Sequence, residues 1–210
     1  MILLSELPYN PPIAFFAALR PAEMLLLEAQ ENYRKQTYRN RCLILTAQGV
    51  QPLTVPVLDG NRSEKVKSGE IAIDYRQNWV HRHWRTLQTA YGNSPYFEYY
   101  ADYFHDIYVQ KPARLFDLNL ALLHLLLRCL RLPVPVELTT IYEPAYAAPV
   151  LDFRDRLSPK NTFGSSGPDF PADALTLRPY SQAFGLNFEP NLSLLDLLFM
   201  QGPAAADYLI

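Results

Sequence analysis

The first 29 residues constrain the fold more than any other part of the chain, because two short apolar segments flank a proline-rich loop and a helix. Residues 2–4 form one apolar run, and residues 24–29 form another in which apolar and polar side chains do not alternate. Strands that are covered on both faces have this pattern. Between them, Asn10 can cap a helix that has two prolines in its first turn and ends before Pro21. This order predicts a right-handed βαβ unit.

The loops that follow the two strands are the expected place for a ligand, because parallel sheets bind ligands beyond the carboxyl ends of their strands. Here those ends are residues 5–11 and 28–33, which we therefore expect to be neighbours. The first loop contains no glycine, and neither GxGxxG nor GxxxxGK occurs in the chain, which excludes the usual dinucleotide and P-loop modes of binding. The helix that follows can still attract an anion at its N-terminus. The alternative is a rigid proline turn without a ligand.

Beyond residue 41, the pattern predicts a hairpin and then a largely helical half. The predicted elements are a hairpin of residues 42–47 and 53–57, an edge strand at 70–74, helices at 79–91, 96–108 and 113–132, a strand at 134–141, and a last helix at 193–201. Ser193 and Asp196 have the spacing of a capping box. Residues 144–180 are rich in Pro, Gly and Ser and are expected to cross the surface without regular structure.

The predicted fold class is therefore α/β, with an N-terminal βαβ unit and a mixed sheet, followed by a largely helical half. At 210 residues, the chain fits one domain and can bury a large core. We expect a single domain over residues 1–210, of which 1–75 are mainly sheet-forming, 76–132 helical, and 133–210 irregular with a C-terminal helix. Nothing in the sequence specifies an oligomeric state.

Composition excludes several classes of function. Apolar residues make up 49% of the chain and charged residues 19%, which excludes wholesale disorder. The net charge of −2 provides no basic field, so we expect no nucleic-acid partner. The one candidate membrane segment, residues 115–132, carries four ionisable side chains at helical spacing and is predicted to be a buried helix of a soluble protein. No basic region precedes the apolar N-terminus, so we expect no signal peptide, no membrane insertion and a cytoplasmic location.

Residues 33–41 are the most informative segment for function. The stretch Tyr33-Arg34-Lys35-Gln36-Thr37-Tyr38-Arg39-Asn40-Arg41 contains four cations, two phenols and two amides. Arginine forks suit carboxylate or phosphate groups, lysine supplies a mobile charge, and tyrosine offers a stacking surface. If the segment is extended, Lys35, Thr37, Arg39 and Arg41 share one face. It predicts a binding site for an anionic small molecule, with a solvated basic loop as the alternative.

The predicted helix at 79–91 contains the candidate catalytic residue. His81 and His83 are two positions apart, so they point about 200° apart and cannot chelate one metal ion together. His83 is a candidate general acid or base, although a hydrogen-bonded helical histidine is the more common case. For nucleophilic catalysis there are Cys42 and the serines at 165 and 166, but none has an identifiable base. The two cysteines have no ligand or disulfide spacing, and we expect no metal site and no cofactor.

Several motifs along the chain resemble one known family. They are Tyr33-x-Lys35-x-Thr37-Tyr38-x-Asn40-Arg41, Leu53-Thr54-Val55-Pro56-Val57, Trp79-x3-His83-Trp84, Tyr91-x3-Pro95-Tyr96-Phe97, Tyr180-x-Gln182-x-Phe184 and Phe188-x-Pro190-Asn191-Leu192-Ser193. Together they resemble the WbqC-like family, bacterial proteins usually met in connection with surface-polysaccharide (O-antigen) biosynthesis. The best-known form of the family has His-Gln-Pro-x-Tyr-Leu-Pro after its first strand, whereas this chain has Ser5-Glu6-Leu7-Pro8-Tyr9-Asn10-Pro11. The chain therefore resembles a shorter-motif branch without the first-loop histidine, and no role of that imidazole transfers.

The resemblance implies a cytoplasmic protein of bacterial surface-glycan biosynthesis, and a group transferase that binds a nucleotide sugar or an acyl or aminoacyl donor. The residues expected to bind substrate are Tyr9, Tyr33, Lys35, Tyr38, Arg39, Asn40, Arg41, Trp84, Tyr96, Tyr180 and Gln182, with His83 as the acid–base residue. Among them the cations hold the anionic group, the tyrosines of segment 33–41 flank a ring, and Asn40 binds hydroxyls.

The alternative is a non-catalytic binding or assembly protein that uses the same basic and aromatic surface. An enzyme should place the cations of segment 33–41 in a concave pocket together with His83 or a carboxylate. A binding protein would leave them on an open face. The location of these side chains therefore separates the two hypotheses.

Overall fold

The secondary structure follows a βαβ unit, a hairpin and three consecutive helices. The structure, a computed structural model, describes residues 1–58, 66–159 and 177–209. Its strands are β1 (Ile2–Ser5), β2 (Met24–Leu27), β3 (Arg41–Thr46), β4 (Gly49–Thr54), β5 (Val136–Leu138) and β6 (Val150–Asp152). Its helices are α1 (Ile13–Leu19), α2 (Trp79–Tyr91), α3 (Phe97–Val109), α4 (Leu115–Cys129) and α5 (Leu194–Gln201), followed by a 3-10 helix (Gly202–Tyr208). The predicted α/β class is confirmed.

The N-terminal strands form the centre of a four-stranded parallel sheet. β1 pairs with β2, so that Ile2 lies opposite Met24 and Ser5 opposite Leu27. β5 adds to the free edge of β2 and β6 to the free edge of β1, which gives the order β5-β2-β1-β6. The antiparallel pairing of the expected mixed sheet occurs in a separate two-stranded sheet, β3-β4.

The start of α1 differs from the prediction. Its N-cap residue is Pro12, which makes no side-chain capping bond. Asn10 instead has a φ of 40°, in the left-handed region that asparagine tolerates, and its Nδ2 donates to the hydroxyl of Tyr108 in α3. The N–H of Ala14 in the first turn is bound by Asn191 Oδ1 at 3.0 Å. A cap supplied by such a distant residue leaves no local signal in the sequence.

The hairpin forms as predicted, although its second strand begins earlier. β4 starts at Gly49 instead of residue 53, because Gly49 has a φ of 93° and closes a tight turn directly opposite Thr46. The predicted edge strand at 70–74 is wrong. Ala72 and Ile73 make only isolated bridges, to Arg114 and to Val57.

The three consecutive helices are confirmed. α2 has the predicted bounds, and those of α3 and α4 differ from the prediction by one to three residues. In α4 every leucine except the half-buried Leu120 is buried, whereas His124 and Arg128 are exposed. Within the described ranges, no helix combines the length and the apolar character that crossing a membrane requires.

The last third of the chain contains one strand that the sequence pattern missed. β6 lies within residues 144–180 and pairs in parallel with β1. The Gly-Ser stretch at 164–167, with the serines at 165 and 166, lies outside the described residues. At the start of α5, Ser193 Oγ accepts from Leu195 N, but Asp196 does not complete the predicted capping box. Its carboxylate accepts hydrogen bonds from Tyr91 and Tyr180 instead.

Candidate functional site

The first loop and the segment after β2 meet at the carboxyl edge of the parallel sheet, as the sequence predicts. Glu28 N donates to Ser5 O at 2.9 Å. Further along, Tyr9 N donates to Tyr38 O at 2.8 Å. Asn119 of α4 joins the two loops, because its Nδ2 donates both to the carbonyl oxygen of Leu7 at 3.2 Å and to that of Arg39 at 2.8 Å.

Segment 33–41 forms turns, so its side chains do not alternate between two faces. Gln36 has a φ of 63°, which an extended strand does not allow. The two tyrosines, Arg39 and Asn40 are buried, whereas Arg34 and Lys35 are exposed and Arg41 is half-buried. Asn40 has a structural contact, since its Nδ2 donates to Val55 O at 3.1 Å.

Arg39 lies among three carboxylates, and we call Arg39, Glu6, Glu31 and Asp155 the Arg39 cluster. Arg39 Nε and Nη2 donate to the two carboxylate oxygens of Glu31, at 2.6 and 2.7 Å. Nη2 also donates to Asp155 Oδ1 at 3.1 Å, and Nη1 lies 3.9 Å from Glu6 Oε1. Arg39 is only 3% exposed, and these carboxylates compensate its charge inside the protein.

The environment of the Arg39 cluster shifts the pKa of two of its groups. Burial opposes the charged form of Arg39, but the hydrogen bond to Glu31 and the three nearby carboxylates hold its pKa above the usual value. Burial raises the pKa of the Glu6 carboxyl, and the Arg39 charge opposes that rise. Glu6 is thus a buried carboxylate with an elevated pKa at the end of β1.

A small cavity of about 10 Å³ opens beside the Arg39 cluster. Its lining includes the polar residues Tyr33, Arg39 and Asn119 and the apolar residues Leu115 and Phe116. Three buried atoms of these polar residues, Tyr33 Oη, Arg39 Nη1 and Asn119 Oδ1, have no hydrogen-bond partner among the described residues. Buried polar atoms are almost always bonded, and a cavity of this size admits one water molecule or one small polar group of a ligand.

A second ion-pair cluster occupies the same edge of the sheet. Arg154 follows β6 and binds Glu28 at 3.0 Å and Asp152 at 2.5 Å. Glu28 is fully buried and also accepts from Thr139 Oγ1 at 2.7 Å. The sequence contained these carboxylates, but without β6 nothing indicated that they lie at one edge.

His83 belongs to a different set of buried groups, the Tyr9 network of Tyr9, Asn10, His83 and Tyr108. His83 Nε2 bonds to Thr54 O at 3.1 Å and must donate, because a carbonyl oxygen only accepts. Burial lowers the pKa of His83 to about 4, so at neutral pH the ring is uncharged and Nδ1 accepts from the Tyr9 hydroxyl at 3.0 Å. It follows that Tyr108 donates to Tyr9 at 2.8 Å and that Asn10 donates to Tyr108 at 2.9 Å. Both ring nitrogens of the predicted acid–base residue are therefore already bonded.

Cys42 lies in β3 and is fully buried. Burial raises the pKa of its thiol to about 12, so it is protonated at neutral pH and has no thiolate character. This environment does not activate a nucleophile.

Comparison with known proteins supports the resemblance seen in the motifs. Residues 8–157 match the WbqC-like protein family. The chain belongs to this family. A similar protein from Mycobacterium tuberculosis, uncharacterized protein Rv1507c, is 30% identical over an alignment of 222 positions, which covers 96% of this chain and 94% of that protein. No solved structure gives a significant match.

The region that matches the WbqC-like family contains Tyr9, Arg39, His83 and Asp155, whereas Glu6 precedes it. The Arg39 cluster and the Tyr9 network therefore fall largely inside the family's shared region. Both clusters also contact the first loop, where this chain departs from the best-known form of the family.

Four of the predicted binding residues make their contacts elsewhere in the protein. The ring of Trp84 lies 4.8 Å from that of His105, and Tyr96 N donates to Phe199 O. Tyr180 and Gln182 both donate to the fully buried carboxylate of Asp196, at 2.6 and 3.3 Å. The structure thus brings Tyr33, Arg39 and Asn119 together at the sheet edge, and sequence reasoning had missed Glu6, Asn119 and Asp155.

Proposed function

We propose that this member of the WbqC-like family is a cytoplasmic group transferase of bacterial surface-glycan biosynthesis. Its donor is an anionic compound, either a nucleotide sugar or an acyl or aminoacyl derivative. The observation that carries the proposal is the position of the Arg39 cluster, which joins cation-rich segment 33–41 to a buried carboxylate at the ligand edge of a parallel sheet. An enzyme is expected to hold the cations of this segment in a concave pocket with His83 or a carboxylate. Of the four cations, Arg39 lines the cavity together with Glu31, whereas Arg34 and Lys35 are exposed.

Transfer to a hydroxyl or amine requires a group that accepts the proton of the attacking atom. We assign this role to Glu6 ahead of His83. The elevated pKa of Glu6 brings a carboxylate closer to the range in which it exchanges protons at neutral pH. His83, in contrast, has a depressed pKa and no unbonded ring nitrogen.

The anionic group of the donor is assigned to Lys35 and Arg41. Arg34 and Arg39 both pair with Asp155, whereas neither Lys35 nor Arg41 has a carboxylate within salt-bridge distance in the part of the chain that the structure describes. Arg41 Nε is also buried without a hydrogen-bond partner among those residues. An added phosphate or carboxylate would complete the bonds of this guanidinium.

One observation favours the alternative, a binding or assembly protein. The cavity beside the Arg39 cluster is about 10 Å³, close to what one water molecule needs, so a whole donor does not fit in this conformation. A transferase must therefore bind its donor outside the cavity or open it on binding. A protein that binds a partner at the exposed side chains of segment 33–41 needs no such opening.

A thermal-shift screen tests the proposal with nucleotide sugars, acyl-CoAs and ATP. A ligand of the right class at about 100 times its Kd stabilises the fold by about 2.7 kcal/mol. For a chain of this size that corresponds to a rise in Tm of about 5–10 °C.

Arg41→Ala should abolish this rise, and Arg85→Ala, which removes an exposed arginine from α2, should retain it. If no compound in these classes raises the Tm, the donor assignment is wrong. If Arg41→Ala retains the full rise, the anion binds elsewhere.

A further inference from the structure

Polar and apolar side chains both line the cavity beside the Arg39 cluster. The apolar residues are Leu7, Leu115 and Phe116, and the polar residues are Glu31, Tyr33, Arg39, Ser68 and Asn119. Tyr33, Arg39 and Asn119 are each at most 3% exposed. Each of these three has a buried polar atom that lacks a partner within the described residues.

The orientation of Asn119 is fixed by its own contacts. Its Nδ2 donates to two backbone carbonyl oxygens, those of Leu7 and Arg39. An amide turned the other way would place its oxygen against those two acceptors, so the unbonded atom must be Oδ1. Asn119 therefore offers the cavity a hydrogen-bond acceptor.

The other two unbonded atoms define what a guest must do. Arg39 Nη1 only donates, so the guest must accept from it. Asn119 Oδ1 only accepts, so the guest must also donate. The Tyr33 hydroxyl can either donate or accept a hydrogen bond. A single hydroxyl group satisfies all of these conditions, and so does a water molecule.

Charge excludes small ionic groups. Arg39 already faces Glu6, Glu31 and Asp155, so carboxylates outnumber the guanidinium in the Arg39 cluster beside the cavity. A second anion would be repelled by them and could not donate to Asn119. An ammonium group could not accept from Arg39 and would lie against its charge. The guest is therefore neutral.

We infer that this cavity binds the hydroxyl of an alcohol in place of a water molecule, because its lining also contains the apolar residues Leu7, Leu115 and Phe116, which can contact the attached carbon. Its size of about 10 Å³ admits a hydroxyl and little more, so the rest of the molecule lies outside. The class of ligand is a polyol such as a sugar, held by one C–OH group. This inference rests on the proposed function in one respect, since it makes that sugar the acceptor of the proposed transferase.

Crystals of the full chain soaked in methanol or in sodium formate test the inference. Methanol carries one hydroxyl on one carbon, and formate is an anion of similar size. We expect two-atom density for methanol, with its oxygen in the cavity and within hydrogen-bond distance of Asn119 Oδ1 and Arg39 Nη1, and no formate. Density for water alone in the methanol soak, or formate in the same place, would overturn the inference.

Tyr33→Phe removes only the unbonded hydroxyl and should lower methanol occupancy about fivefold, the effect of one hydrogen bond. Tyr75→Phe is the matched control and should retain methanol, because the Tyr75 hydroxyl donates to Pro112 O and does not line the cavity. Equal occupancy in the two variants would contradict the assignment. The outcome does not depend on donor binding, so a failed thermal-shift screen and an empty cavity are separate results.

Discussion

Two buried polar clusters contact the first loop, and they differ in charge and in completeness. The Tyr9 network is neutral, and every hydroxyl and ring nitrogen in it has a partner. The Arg39 cluster is charged, and the cavity beside it retains three unbonded polar atoms among the described residues. In the Tyr9 network, Asn10 Oδ1 is the only buried side-chain atom without a hydrogen-bond partner among the described residues.

This difference separates a structural role from a candidate ligand site. A chain of neutral hydrogen bonds with defined directions fixes the relative positions of the first loop, α2 and α3. Buried charges are costly to keep, and unbonded buried atoms add to that cost. A protein that retains both at the carboxyl edge of a parallel sheet, where such folds bind ligands, has a candidate binding site there.

The largest expected effect on the unfolding free energy comes from removing Arg39, the cation of the Arg39 cluster. Arg39→Met leaves Glu6, Glu31 and Asp155 without their shared partner, and we expect a loss of about 3–5 kcal/mol in the free energy of unfolding. Urea denaturation measures it. Arg34→Met is the matched control, because Arg34 pairs with the same Asp155 but its side chain is 59% exposed, and the expected loss is at most about 1 kcal/mol. Similar losses in the two variants would show that the cluster is not held by charge.

A smaller effect is expected from the acid titration of the Tyr9 network. The pKa of His83 is about 4 in the folded protein, against about 6.5 when unfolded. The unfolded chain therefore binds the proton first, and the stability contributed by the neutral ring is present above pH 6.5 and lost as the pH falls toward 4. We expect this loss to be about 3 kcal/mol between pH 7 and pH 4.

His83→Gln removes this titration but keeps groups that can donate and accept. The difference in unfolding free energy between wild type and His83→Gln should therefore shrink as the pH falls from 7 to 4, measured by urea denaturation at several pH values. A difference that stays constant across this range would mean that His83 is accessible and titrates normally.

The smallest expected effect on the unfolding free energy comes from removing one hydroxyl from each cluster. Tyr108→Phe removes a hydroxyl that both donates and accepts, and should cost about 1–2 kcal/mol in unfolding free energy. Tyr33→Phe removes a hydroxyl without a partner among the described residues and should change stability by less than about 0.5 kcal/mol. Thermal unfolding of the two variants measures this contrast. Equal costs would indicate that the Tyr33 hydroxyl is already bonded to a buried water molecule.

Sequence patterns predicted those parts of the fold that depend on neighbouring residues. The βαβ unit, the hairpin and three helices all follow from the spacing of apolar residues and from prolines at element ends. The meeting of the first loop with the segment after β2 also follows, because parallel strands bring their carboxyl ends together.

The remaining features depend on partners far away in the chain. Residues 33–41 appeared to be a row of free cations, because no local pattern places Glu6 or Asp155 beside Arg39. β6 is only three residues long, and its pairing with β1 is what brings Asp155 to the site. Asp196 had the spacing of a capping residue, but two tyrosines from distant segments bind its carboxylate.

The strand order β5-β2-β1-β6 has a consequence for folding during synthesis. The two central strands leave the ribosome first, and both edge strands follow more than 100 residues later. At translation rates of about 5–20 residues per second, the β1–β2 pair waits on the order of 5–20 s with both edges unpaired. Open strand edges are templates for pairing with other chains, so the β1–β2 pair is exposed to aggregation during this interval until other parts of the chain cover its edges. The Arg39 cluster, which needs Asp155, is completed only after β6 has been synthesised.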